Sequence, residues 1–383
     1  MSTVSINSTM TDTVLAVENL SVTFPTDDGN VRAVRDVSYT LRPREVLGIV
    51  GESGSGKSVS SMAIMGLLPD NAKVTGSIRY RDRELVGQSY KQLQSVRNNG
   101  VAMIFQDPMT SLNPVFTIGW QLAEAYRAHH SVSKKAAWAK AVEALELVGI
   151  PQPDRRAAQY PHEFSGGMRQ RVVIAMAIIN DPDVIIADEP TTALDVTVQA
   201  QILETLLRIR DETSAAIVMI THDLGVVAGM VDRVQVMYGG TVVEAAPVDG
   251  LFEHPRMPYT VGLLGSLPNP ATLGKRLTPI KGTPPSLINL PTGCAFSPRC
   301  PLVIDACRET EPRLMPADGR SHFTRCHRWQ HLASLPRPQA LFEHEEIGTV
   351  ENPAALTAMD HDMPVAEDLA VVEERRYQER PNS

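Results

Sequence analysis

The chain has 383 residues, 43% of them hydrophobic and 21% charged, with a formal net charge of −8. That length buries a substantial core in one or two domains. With no run of about 18 apolar residues, a bilayer-spanning helix is excluded, and residues 1–12, rich in Ser and Thr, lack the apolar centre of a secretory signal. The acidic excess belongs to the tail: from Ala340 onward there are 11 Asp and Glu against 3 Arg, and removing these from totals of 44 and 36 leaves 33 of each. The body of the chain is therefore neutral and offers no basic face to nucleic acid, while the acidic tail, with few aromatics and scattered Pro, is expected to be disordered.

Residues 14–50 alternate short β patterns with turns, among them Asp27-Asp28-Gly29-Asn30. Val46-Leu47-Gly48-Ile49-Val50 reads as a buried strand. It feeds Gly51-Glu-Ser-Gly-Ser-Gly-Lys57-Ser58, after which a helix begins near Ser58 and ends by Pro69. Strand, glycine loop and helix in that order are the setting of a phosphate-binding loop. Gly51, Gly54 and Gly56 let the backbone approach phosphate oxygens. The amides around Ser53 and Ser55 and the helix N-terminus hold negative charge. Lys57 is expected on the β- and γ-phosphates of a nucleotide and Ser58 on Mg²⁺.

Further along, Val101 to Phe105 is an apolar run ending at Gln106. Roughly 110 to 164 is helix-rich, for example Lys134 to Val148, closed by Gly149 and Pro151. Residues 165–245 return to α/β alternation. Val184 to Ala187 delivers Asp188 and Glu189 to a strand end, where two carboxylates are costly unless something compensates. Mg²⁺ on a nucleotide does so for Asp188, and Glu189 is then placed to polarise an attacking water. His222 follows the apolar run Ala215 to Ile220. A lone His at a strand end is usually solvated or satisfied in the core, and only its place in the series of motifs promotes it.

Phe164-Ser165-Gly166-Gly167-Met168 resembles the LSGGQ signature of ABC-type ATPases, with Phe for Leu and Met for Gln. The resemblance covers about residues 14 to 330. It implies a P-loop ABC-type α/β nucleotide-binding domain with a RecA-like core, an antiparallel β-subdomain and a helical subdomain. It also implies that the signature meets the γ-phosphate held by a second ATPase subunit, so that dimerisation is part of catalysis. By the same resemblance Gln106 senses Mg²⁺ and water, Asp195 in Ala193-Leu-Asp195 lies on the loop that crosses the dimer interface, and His222 contacts the γ-phosphate. Phe24 would stack on adenine, although a half-buried strand aromatic is nearly as good a reading. Only one set of motifs is present, so the second nucleotide-binding half comes from another chain, a paralogue or a second copy.

Two stretches narrow the resemblance. Gln106-Asp-Pro-Met-Thr-Ser-Leu-Asn-Pro114 is similar to the segment after this glutamine in dipeptide/oligopeptide importer ATPases, and Phe252-Glu-His-Pro-Arg-Met-Pro-Tyr259 to the start of their C-terminal extension. The resemblance implies work at the cytoplasmic face of the membrane with two permease subunits and an external substrate-binding protein. Nickel importers are the alternative; soluble ABC ATPases acting on DNA or ribosomes are a rival without matching inserts. The expected division is an N-terminus 1–12, an ABC ATPase domain 13–255, an extension 256–332 and a tail 333–383.

The Pro-rich extension has no strong periodicity and reads as an irregular module. It contains all four cysteines, Cys294, Cys300, Cys307 and Cys326, with 5, 6 and 18 residues between them. Disulfides are disfavoured in a reducing compartment. Zinc sites usually show closer pairs, and the spacing does not match common ferredoxin patterns, so spacing leaves zinc, an iron–sulfur cluster and free thiols open. The resemblance favours [4Fe–4S], because the extension of peptide-importer ATPases carries this arrangement and in some members holds such a cluster. His322 and His327 flank Cys326 as spare ligands, ordinary solvated histidines being the stronger reading.

Overall fold

Alternation of inward apolar and outward polar residues builds the first sheet. Strands β1 (Leu15–Thr26) and β2 (Gly29–Leu41) form a hairpin, with Val34, Val37, Tyr39 and Leu41 of β2 turned inward. The register of β1 shifts between Val17 and Leu20, where Asn19 takes a φ of 50°. This irregularity restores the inward face at Leu20 and Val22. With β3 as Val46–Val50, β4 as Lys73–Tyr80 and β5 as Arg83–Glu84, the sheet runs in the antiparallel order β2-β1-β4-β5.

The second sheet takes β3 into its middle. Its other strands are β6 (Val101–Ile104), β7 (Val184–Asp188), β8 (Ala216–Thr221), β9 (Arg233–Tyr238), β10 (Thr241–Pro247), β11 (Met315–Asp318) and β12 (His322–Thr324). The order is β11-β12-β10-β9-β3-β8-β7-β6. From β9 to β6 neighbouring strands are parallel. Strands β3, β6, β7 and β8 are buried along their whole length, as expected for a parallel sheet covered on both faces. Gly51, Gln106, Glu189 and His222 all follow the carboxyl ends of these parallel strands, where open α/β sheets bind their ligands.

The computed structural model describes residues 12–192, 194–267, 279–319 and 321–342. The expectations for the N-terminus up to residue 11 and for the tail from residue 343 lie outside the described residues. Helices Ile118–Arg127, Lys134–Leu147, Pro153–Ala157 and Gly166–Ile178 pack together as the helical subdomain. In the second of these Ser133 caps the start by accepting from the Ala136 amide at 3.2 Å, and Ala137, Ala141, Ala144 and Leu145 make its buried stripe. Gly149, at a φ of 75°, ends that turn.

The extension is less irregular than its sequence suggests. Helix Pro258–Gly265 is buried over most of its length, and β12 pairs with β10, so the extension adds two strands to the core sheet. These strands have only four and three residues, too few to generate a readable period. Ordered structure continues through helix Trp329–Ser334 to a turn at Pro338–Phe342, where Phe342 is buried in the main core. No helix among the described residues is long and apolar enough to cross a membrane.

Candidate functional site

The glycine loop owes its shape to its neighbours. A Cβ on Gly51, at a φ of 155°, would collide with the Met237 carbonyl. One on Gly56, at a φ of 100°, would collide with the Ala33 carbonyl, so only glycine fits at either place. The helix Lys57–Met65 starts directly after the loop. Lys57 is 5% exposed and its ammonium donates to the carbonyls of Gly51 at 2.8 Å and Glu52 at 3.0 Å. Burial lowers its pKa, opposed by Glu189, Asp188 and Glu52. Ser55 is buried, and its hydroxyl has no partner among the described residues. A cleft beside the loop runs between Ser53, Gly54 and Ser55 on one side and Pro284, Pro285 and Leu287 on the other.

Ser58 and Asp188 meet across the sheet: the Ser58 hydroxyl donates to Asp188 Oδ1 at 3.0 Å. Burial raises the Asp188 carboxyl, with Ser58 and Lys57 pulling down and Glu189 pushing up. Glu189 sits in the left-handed region at a φ of 49°, which costs a non-glycine residue about 1–2 kcal/mol. Its carboxylate is fixed from three sides. Gln106 Nε2 donates to Oε2 at 3.1 Å, Thr192 donates to the same oxygen at 2.9 Å, and His222 Nδ1 lies 3.2 Å from Oε1. Strain accepted to aim one side chain is a mark of a working group.

These contacts bring Lys57, Ser58, Gln106, Asp188, Glu189 and His222 into one linked array. Thr192 was not singled out in the sequence; lying three residues after Glu189, it had no signal beyond proximity. Ser165 caps helix Gly166–Ile178 by accepting from Met168 N at 3.4 Å. Phe164 is buried, whereas Ser165 and Gly166 are exposed and Gly167 and Met168 half-buried. Asp195 caps the helix Val196–Thr213, accepting from Val198 N at 3.0 Å. Phe24 pairs with Val31 near the hairpin tip and is partly buried against the core beneath β1.

Family comparisons agree with this geometry. Residues 34–192 match the ABC transporter family, and residues 243–307 match the oligopeptide/dipeptide transporter C-terminal region. The dipeptide transport ATP-binding protein DppD of Bacillus subtilis is 54% identical over 301 residues, covering 78% of this chain and 90% of that protein. The chain belongs to the ABC transporter ATP-binding proteins of the oligopeptide/dipeptide type. Another relative in this family is the oligopeptide transport ATP-binding protein OppD of Mycobacterium tuberculosis, 53% identical over 90% of this chain. The chain spans only 56% of that protein's length. Among solved structures, a dimeric ATP-binding cassette bound to ADP and Pi overlays with a TM-score of 0.55 at 26% identity, covering 61% of this chain and 98% of that one. CbiO1 of Clostridium perfringens, part of the ABC transporter complex cbiONQ, overlays with the same score and identity over 66% of this chain and 95% of that one.

The family's C-terminal region carries the second cluster. Cys294, Cys300, Cys307 and Cys326 are all free thiols and line one pocket with Phe296 and His327. Burial pushes Cys294 up to about 11 and Cys300 and Cys326 up to about 12. Backbone amides aim at the sulfurs: those of Phe296 and Ser297 at Cys294, that of Leu302 at Cys300, and that of Arg328 at Cys326, the last at 3.3 Å. Among the described residues no three His, Cys, Asp or Glu side chains converge on a single-ion position. His327 Nε2 donates to the Thr310 carbonyl, 3.0 Å away, because a carbonyl can only accept. His322 is buried on Glu244, at 2.7 Å, and is neither solvated nor part of the pocket.

Proposed function

We propose that this chain is the ATP-hydrolysing motor subunit of a membrane importer for di- and oligopeptides. It works at the cytoplasmic face of the membrane with a second ABC ATPase chain, two permease subunits and an external substrate-binding protein. In this reading residues 13–255 are the ATPase domain and 256–332 the importer-type extension, followed by a tail. The observation that carries it is the Glu189 carboxylate, held by Gln106, Thr192 and His222 beside the Ser58–Asp188 pair. The peptide cargo is supported by the transport names of the relatives and by the matched C-terminal region.

ATP binding falls to the loop. The amides from Ser53 to Ser58 and the Ser55 hydroxyl receive phosphate oxygens, Lys57 exchanges its loop carbonyls for the β- and γ-phosphates, and Phe24 faces the adenine. Ser58, Asp188 and the Gln106 amide oxygen are a hard oxygen set that suits Mg²⁺, which when bound neutralises charge at the β- and γ-phosphates. Glu189 accepts a proton from the attacking water while Gln106 and His222 keep the carboxylate and the γ-phosphate in line. Ser165 and the following glycines cap the phosphates of the partner subunit, and Asp195 lies at the subunit contact. The related cassette solved as a dimer with ADP and Pi supports that arrangement. Reconstitution with both permeases and the binding protein tests it. ATP-dependent uptake of a labelled dipeptide is expected, whereas uptake of Ni²⁺ in its place would overturn the cargo.

The four cysteines are read as ligands of a [4Fe–4S] cluster, with Zn²⁺ as the alternative. A single zinc draws its sulfurs to about 2.3 Å of one point, whereas a cluster takes one thiolate on each of four irons. Four thiols lining one pocket, three of them facing amide donors that would stabilise thiolates, support the cluster reading. Bound iron would deprotonate the thiols and staple the module. Anaerobic purification with iron, sulfide and zinc analysis decides between them: about four irons and four sulfides with absorbance near 400 nm are expected, and one zinc without iron would replace the cluster.

A further inference from the structure

The second residue of the glycine loop is an acid, Glu52, in a loop whose amides serve to attract phosphate. Its carboxylate takes two bonds from one guanidinium of the extension: Arg299 Nη1 donates to Oε2 at 2.6 Å and Nη2 to Oε1 at 3.0 Å. The Arg299 side chain is only 5% exposed. Carbonyls of Lys281 at 3.0 Å and Ile280 at 3.3 Å accept from it, and so does the Tyr238 hydroxyl at 3.3 Å. The guanidinium also lies 5.8 Å from the Tyr238 ring and 6.0 Å from that of Phe296. Below it Tyr238, Tyr259 and Phe296 form a buried aromatic trio, with ring centres 4.6 to 5.3 Å apart. Tyr259 completes the grip by accepting the Glu52 amide at 2.9 Å.

The extension thus holds both the backbone and the charge of the loop's second residue. Without a partner, the Glu52 carboxylate would repel the triphosphate of the same loop and compete with it for Lys57, whose charge already feels Glu52. Bidentate pairing satisfies both carboxylate oxygens and keeps them turned to the extension. We infer that Arg299 is a positioning residue for nucleotide binding, neutralising Glu52 so that the phosphate loop presents net positive potential to ATP. This rests on the ATP-binding reading above, and it makes the extension part of the nucleotide site.

The test is equilibrium binding of a fluorescent ATP analogue to the full chain. The unaltered chain binds. Arg299→Met weakens binding by roughly tenfold or more, because the other charge of a buried pair is left without its partner. Adding Glu52→Gln to Arg299→Met restores affinity to within about threefold of the unaltered chain, since no unpaired carboxylate remains beside the phosphates. Glu52→Gln alone binds as tightly as the unaltered chain or more tightly, which keeps the inference testable even if Arg299→Met does not fold. Unchanged affinity in Arg299→Met, a double variant no better than the single one, or weaker binding by Glu52→Gln each overturns it. Failure of the unaltered chain to bind nucleotide instead overturns the ATP reading on which it rests.

Discussion

At the phosphate loop Lys57, Glu52, Asp188 and Glu189 each have a hydrogen-bonding or charged protein partner, whereas in the cysteine pocket three thiols are held neutral by burial. The first region is shaped before any ligand arrives. Its carbonyls, amides and paired charges fix the geometry, and a ligand has only to replace contacts of similar kind. The second is a donor set with no charge to attract a metal until protons leave. The lesson is that preorganisation can be built from paired polar groups in one place and from desolvation of unpaired donors in another.

The sharpest way to break this comparison is at Glu189. Glu189→Gln keeps the side-chain shape and the hydrogen bond from Thr192 but removes the base. Hydrolysis should fall by about 10²–10⁴-fold while ATP stays bound in trapped dimers, as read by phosphate release and size-exclusion chromatography; near-normal turnover would remove Glu189 from its role. Lys57→Ala should weaken ATP binding by on the order of 100-fold, checked by calorimetry.

Smaller effects probe the neutral thiols. Their folded-state pKa values lie above the ordinary thiol range, so the native chain keeps protons that the unfolded chain releases. In the metal-free protein stability is therefore unaffected by these groups below about pH 8.5 and falls between that value and about 12, by up to about 1.4 kcal/mol per pH unit for each thiol. Urea midpoints at pH 8 and pH 10 measure it, and Cys300→Ser should reduce the slope; an identical slope in that variant would mean that Cys300 is not kept neutral. Smallest is Asp195→Ala, which removes a helix cap and should cost about 1 kcal/mol in thermal melts.

How much of this could be read in the sequence follows from distance along the chain. The glycine loop was legible because its strand, turn and helix are contiguous and its glycines are demanded by nearby carbonyls. The strand ends carrying Gln106, Asp188, Glu189 and His222 were legible as separate apolar runs, but their meeting needed the order of motifs. The left-handed backbone of Glu189 carried no signal, since propensity favours glycine or asparagine there. The strands β11 and β12 are too short to declare a period, and the ion pair of Glu52 with Arg299 joins residues 247 positions apart, beyond the reach of any local rule.

That separation also has a consequence for biogenesis. A ribosome adds about 5–20 residues per second, so Glu52 is made roughly 10–50 s before Arg299 exists to meet it. β10, once made, waits for β12 through a shorter gap of about 75 residues, roughly 4–15 s, as an open strand edge, the kind of surface that recruits other chains. A translating chain therefore exposes an adhesive edge and a mischarged loop until the extension that carries Arg299 and β12 emerges. The extension closes both, first the loop through Arg299 and then the edge through β12, so the nucleotide site is finished only once the extension has been made.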